Sequence, residues 1–162
     1  MDTMSLKTSE SFEEVMKFYM PMVYRIAFSR LGSTHEAEDI TQEVFLKYFR
    51  ADISYNDEEH RKAWLIRVTI NCAKDLLRGK PSWEELNETI AGDDVPAVSS
   101  EEQLDLHKAI QQLRLEYREA ICLHYLEGLS VKEIADILGR NENTVKTHLA
   151  RGREMLRKFL ED

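Results

Sequence analysis

The sequence predicts an all-α protein of two small helical domains joined by an acidic linker, the C-terminal one a helix-turn-helix four-helix domain. Three observations carry that expectation. Apolar residues recur at spacings of three and four in both halves of the 162-residue chain, and nothing alternates with period two for long enough to make a sheet. Serine starts and glycine stops punctuate the chain at helical lengths. The formal net charge of −8 is also unevenly placed: residues 1–80 carry −1, residues 81–105 carry −8 with no basic side chain, and residues 106–162 carry +1.

With 43% hydrophobic and 32% charged residues, the composition is that of a folded chain. No apolar run approaches the ~18–20 residues that span a bilayer. The start, MDTMSLKTSESFEEV, has acidic residues where a secretory signal needs an apolar segment, so a cytoplasmic location is expected. Cys72 and Cys122 form no CxxC pair and read as buried, reduced thiols. The five histidines are dispersed, and no P-loop, nucleophile elbow or HExxH motif is present. Neither catalytic residues nor a cofactor nor a metal is expected.

In the first block, Ser11-x-x-Glu14 is a capping-box pattern ahead of FEEVMKFYMPMVYRIAFSRLG. Pro21 lacks an amide donor and should kink or split that helix. Gly32 suits a C-terminal cap, and Ser33-x-x-Glu36 opens a second helix, whose apolar stripe is Ile40, Val44, Phe45, Tyr48 and Phe49. Its other side carries Glu36, Asp39 and Glu43, with Gln42 adjoining. That is either an acidic first turn favoured by the helix dipole or a protein-docking surface that repels phosphates. His35 reads as lying off this face, which argues against a metal site.

A polar loop, ADISYNDEEH, precedes a third helix, RKAWLIRVTINCAKDLLR. Leu65, Val68, Cys72 and Leu76 form one packed stripe there, and Ile66, Ile70 and Leu77 a second. Arg67, Asn71, Lys74 and Arg78, with Trp64 beside them, form a polar stripe. Residues 61–80 carry +5, Arg61, Lys62 and Lys80 included. Cations beside an amide suit a phosphate backbone with a base edge in reach, and a solvated basic face is the alternative. The stretch GKPSWEELNETIAGDDVPAVSSEEQ then lacks sustained periodicity and holds two of the three prolines, which marks a tether; Trp83 could dock on a domain or partner.

The second block runs LDLHKAIQQL, then EYREAICLHYLEG, then a short helix, a turn and a long helix. Gly128, the Ser130-x-x-Glu133 pair, Gly139 and Asn141 supply the stops and starts. Val131, Ile134, Ala135 and Leu138 face inward on the short helix. On the long one Val145, Leu149, Gly152 and Leu156 share a face, opposite Thr147, Ala150, Arg151 and Glu154, with Thr144, Lys146 and Arg153 at the sides. A helix braced this way can project into a major groove, where Arg151 and Lys146 reach guanine edges or phosphates, Thr147 either, and Ala150 a thymine methyl. Thr144 lies near the amides that favour a phosphate, and His148 sits at the edge between packing and phosphate contact. Residues 140–158 carry +4. A solvated helix pair whose charges serve solubility is the plain alternative.

These segments resemble a bacterial RNA polymerase sigma factor of the sigma-70 family, extracytoplasmic-function (ECF) group. The resemblance rests on EAEDITQEVFLKYFR, KAWLIRVTINCAKDLLR and LRLEYREAICLHYLEGLSVKEIADILGRNENTVKTHLARGREMLRK, in that order over residues 12–160. It implies a sigma region 2 over residues 10–80, an acidic linker over 81–103 and a sigma region 4 over 104–160. Region 2 would dock on core RNA polymerase through Asp39, Gln42 and Glu43. The loop 52–60 and the next helix would hold the unpaired −10 strand, with Asn71 beside a flipped base and Arg67 and Lys74 facing DNA. Tyr55, Asn56 and His60 are further candidates there, in a loop more acidic than a strand-binding loop needs. Region 4 would read the −35 element through Lys146, Thr147, Arg151 and Arg153. The linker would thread a cationic channel of the polymerase in place of nucleic acid. Asn143 stands where the family often has glycine, and asparagine tolerates a left-handed or cap conformation. Control by a separate anti-sigma factor is implied. Two other functions fit the bare residues: a stand-alone helix-turn-helix transcription regulator, or a helical adaptor without a DNA role.

Overall fold

The computed structural model describes residues 12–78 and 101–161. Ser11, the linker 81–103 with Trp83, and Lys80 lie outside or largely outside them. Contacts divide the chain into two units, Met1–Thr89 and Ile90–Asp162. Among the described residues every regular element is helical.

The first unit is three helices, α1 (Phe12–Leu31), α2 (Thr34–Arg50) and α3 (Glu58–Arg78), each packed on the other two. Pro21 does not split α1, which runs through it as one helix. Pro21 and Lys17, whose carbonyl has lost its amide partner, are both on the exposed side, so water can serve that carbonyl while Tyr19, Met22, Val23 and Ile26 hold the buried side. Gly32 ends α1 with φ 72°, its N–H donating to the Phe28 carbonyl at 2.7 Å. Ser33 caps α2, its hydroxyl accepting from the Glu36 N–H. Ile40, Val44, Phe45 and Tyr48 are buried as expected, but Phe49 is 63% exposed. Nine residues beyond Ile40 the stripe has rotated outward, and the Phe49 ring meets only an edge of Phe12 at 5.1 Å.

The loop between α2 and α3 is shorter than its polarity implies, because α3 begins at Glu58. Asp57 starts the helix by accepting the His60 N–H at 2.8 Å. Tyr55 is fully buried, with ring centroids 6.0 Å from Tyr48 and 6.1 Å from Trp64. Arg61, counted among the surface cations from sequence, is also buried, paired at 3.0 Å with Glu58, which in turn accepts the Tyr19 hydroxyl at 2.5 Å. The arginine thus ties the start of α3 to α1.

The second unit comprises α4 (Glu101–Gln112), α5 (Leu115–Ile121), α6 (Val131–Leu138) and α7 (Glu142–Glu161). α5 continues into one π turn, Cys122–Leu126, closed by the Glu127 N–H on the Cys122 carbonyl at 3.1 Å. Buried Arg118 donates to the carbonyls of Gln111 and Leu113 at 3.0 and 3.2 Å, satisfying the end of α4. Ser130 and Glu133 complete a reciprocal capping box on α6, and Gly139 ends it at φ 69°. The Asn141 side chain caps α7 by accepting the Thr144 N–H at 2.8 Å. Asn143 therefore sits inside the first turn of α7, and among the described residues none other than glycine has positive φ; the left-handed role is not needed.

Gly152 is where α7 meets α5 most closely. A Cβ there would lie 2.8 Å from Ile121 Cγ1 and 3.1 Å from its Cδ1. Ile121 is β-branched and buried, so it cannot swing aside. Gly152→Ala is expected to destabilise the chain by about 1–2 kcal/mol despite alanine's better helix propensity, measured by urea unfolding. Unchanged or raised stability would contradict the close approach.

Both cysteines are buried thiols. Burial pushes the Cys72 thiol up to about 11, helped by the neighbouring Glu43 carboxylate. A folded value raised above the unfolded one removes stability as pH rises between the two, so stability should fall from about pH 9 towards 11. Cys72 should label with iodoacetamide at pH 8 only after urea is added; rapid labelling of the native chain would overturn this.

Candidate nucleic-acid interface

Two surfaces gather exposed cations, one on each unit. On α7, Val145 and Leu149 are 1% and 3% exposed and Gly152 is buried, which turns Lys146, Thr147, Ala150, Arg151 and Arg153 outward. The 3.6-residue period explains this arrangement, since those residues fill the arc opposite the packed stripe. The short helix α6 packs on α7 through Ile134 and Ala135. Thr144 is half-buried at the first turn.

The local charges are fewer than the sequence total implies. Arg140 is paired at 3.0 Å with Glu119, a carboxylate only 3% exposed, and anchors the turn before α7 to α5. Arg157 is paired with Glu154, so that carboxylate on the outward arc is neutralised by its neighbour. Lys146, Arg151, Arg153 and, two turns beyond Arg151, Lys158 remain as the exposed cations around the outer arc. His148 leans on Tyr117, ring centroids 5.6 Å apart, and burial together with the Arg140 charge lowers its pKa. It is a neutral imidazole, half committed to packing.

On α3, Arg67 and Asn71 are exposed one turn apart, with Lys74 half-buried beyond them. Arg78 is held 2.9 Å from Asp75. Trp64 is half-buried against Tyr48 and Tyr55. Since Tyr55 lies inside this aromatic cluster, it can shape the wall behind a base pocket but cannot itself close on a base. His60 and Asn56 stay nearer the surface, the Asn56 N–H donating to His60 Nδ1 at 3.1 Å.

The acidic side of α2 presents Asp39, Gln42 and Glu43 to solvent. His35 does share this face: it lies one turn before Asp39, 3.6 Å away, because residues four apart stack on a helix. Among the described residues no group of three His, Cys, Asp or Glu side chains could hold a metal ion. Glu43 is 3.8 Å from Lys47. Leu46, 51% exposed, and Phe49 extend the same side with apolar surface. Sequence reading missed both as surface features. The available signal was Leu46's position at 39, 42/43, 46 spacing, outside the buried stripe. A face mixing carboxylates with exposed apolar side chains suits a protein partner better than DNA. No helix among the described residues is long and apolar enough to cross a membrane.

Residues 15–81 match the family model for sigma-70 region 2, and residues 103–156 that for sigma-70, region 4. The chain is 34% identical to the ECF RNA polymerase sigma factor SigW of Bacillus subtilis over 94% of its length and 90% of that protein. It is 37% identical to SigE of Mycolicibacterium smegmatis over 93% of its length, spanning 62% of that longer relative. In fold it is similar to the sigma factor RpoE of Bartonella quintana, solved in complex with the anti-sigma factor NepR. That match has a TM-score of 0.76 and 24% identity over 93% of this chain and 96% of that one.

Proposed function

Since the chain belongs to the extracytoplasmic-function group of the sigma-70 family, we propose that Lys146, Thr147, Arg151 and Arg153 read the −35 promoter element while Arg67, Asn71 and Lys74 hold the −10 strand. The protein directs promoter recognition and transcription initiation, with core RNA polymerase and promoter DNA as partners. The catalytic centre belongs to the core enzyme, and this chain supplies recognition. Thr144 adds a contact at the head of α7, and His148, neutral and half-packed, lies beside it. Asp39, Gln42 and Glu43, extended by Leu46 and Phe49, dock region 2 on the polymerase. Regulation falls to a separate anti-sigma factor, the kind of partner that holds the Bartonella protein of similar fold.

The observation that carries the reading is a helix packed inward through Val145, Leu149 and Gly152, with Lys146, Arg151 and Arg153 exposed around its other side. Two modest DNA affinities, held at one spacing by docking, multiply through effective concentration. Capture of the unpaired −10 strand then shifts the duplex towards its open form. Run-off transcription with core polymerase on a pool of genomic fragments, followed by sequencing of start sites, tests this. Shared −35 and −10 sequences upstream of the starts are expected. Tight, sequence-specific retardation of the same fragments by the chain alone would instead favour a stand-alone regulator.

A further inference from the structure

We propose that Tyr125 and Arg153 form a two-donor site for one backbone phosphate at the edge of the promoter-reading helix, an inference that rests on the −35 reading above. Arg153 Nη1 donates to the Tyr125 hydroxyl at 3.0 Å, across 28 residues of sequence. Tyr125 is 53% exposed and Arg153 is exposed too, so the pair lies at the surface, where a surface arginine ordinarily wanders.

The tyrosine is itself held. Its ring meets the edge of His124 at 4.7 Å, and His124 Nδ1 is 2.8 Å from the Leu129 carbonyl. Both residues belong to the π turn Cys122–Leu126, and a turn with an i→i+5 bond aims its side chains differently from a regular α-helix. Tyr125 is thereby fixed beside α7, although it belongs to another element.

A hydroxyl that accepts one hydrogen bond still has its own hydrogen to give, and the guanidinium has N–H groups beyond the one already used. Donors on two adjacent groups match the two non-bridging oxygens of a phosphodiester. Arg153 stands seven residues, two helical turns, from Lys146, so both lie on one edge of α7. The Arg153 end of that edge meets the backbone, while Lys146, Thr147, Ala150 and Arg151 face the groove. The phosphate contact sets the register of the helix and carries no base information of its own. Tyr125 is a positioning residue for Arg153 as well as a donor.

The test uses holoenzyme assembled from core polymerase and the full chain, as wild type, Tyr125→Phe, Arg153→Ala and the double variant. Promoter fragments carry a single neutral methylphosphonate at successive positions around the −35 element. One position should weaken wild-type binding by roughly five- to tenfold, and the same position should weaken Arg153→Ala and Tyr125→Phe distinctly less, since each keeps one of the two donors. Arg153→Ala should lower the salt slope by about 1, and the double variant should lose clearly less than the sum of the two single losses. Tyr125→Phe removes only an exposed hydroxyl, so its folding is preserved. Wild-type sensitivity at every position in Tyr125→Phe, or losses that add in full, would overturn the site while leaving the −35 reading in place. Equal wild-type binding to intact and scrambled −35 fragments would overturn both.

Discussion

Replacing Arg151 and Lys146 together by alanine is expected to lower run-off transcription from −35-bearing promoters on the order of a hundredfold. Each well-placed contact to a base edge is worth about 1–3 kcal/mol, and a tenfold change in occupancy corresponds to about 1.4 kcal/mol. Both side chains are exposed, so neither truncation opens a cavity, and the packed stripe of Val145 and Leu149 is untouched. Core binding should persist, because the residues proposed to dock, Asp39, Gln42 and Glu43, belong to the other unit. The diagnostic comparison is between templates: scrambling the −35 element should cost the wild type heavily and the variant almost nothing. A variant that keeps the wild-type preference for the intact element would remove α7 from promoter reading.

The second large effect concerns the turn that presents α7. Arg140→Ala is expected to destabilise the chain by about 3 kcal/mol in denaturant unfolding, since it strips the guanidinium from a carboxylate with 3% exposure. Glu119→Gln should cost less, because Arg140 is 29% exposed and can turn its charge towards water while the amide still accepts a hydrogen bond. The order of the two effects is the informative part. Were Glu119→Gln the more damaging, the pair would not be held by the burial of the acid. The same pairing explains why Arg140, though basic and next to the reading helix, adds little to its outward field.

Much of this arrangement was legible in the residues alone. Gly32, Gly128 and Gly139 have positive φ where stops were expected, and Ser33, Ser130 and Asn141 accept backbone N–H groups where starts were expected. Caps are local: one side chain meets an amide two or three residues on, so spacing suffices to find them. The inward face of α7 was equally readable, because four residues at spacings of four, three and four name one side of a helix.

Other positions depart from expectation. Pro21 was expected to kink or split α1 on its local chemistry, and the helix is not split, held by the buried flank of Tyr19, Met22, Val23 and Ile26. Phe49 was assigned inward by hydrophobicity and points out, while Tyr55 and Arg61, polar members of a loop and a basic run, are buried. For Tyr55 and Arg61 residues distant along the chain override the local preference, as Tyr48 does for Tyr55 by stacking and Tyr19 for Arg61 through Glu58.

Chain order and residue type alone thus settle most helix ends and most of each apolar arc, the start of α3 at Glu58 and the outward Phe49 excepted, since both depend on neighbours within about four positions. Which charges survive as surface charge is a matter of folding in three dimensions. Arg61 and Arg140 are spent on internal pairs, Arg157 neutralises Glu154, and Tyr125 comes to stand beside Arg153, all through contacts that spacing along a helix cannot reveal or that packing must select. Burial removes water from some ions and not from others, and only the packed chain determines which.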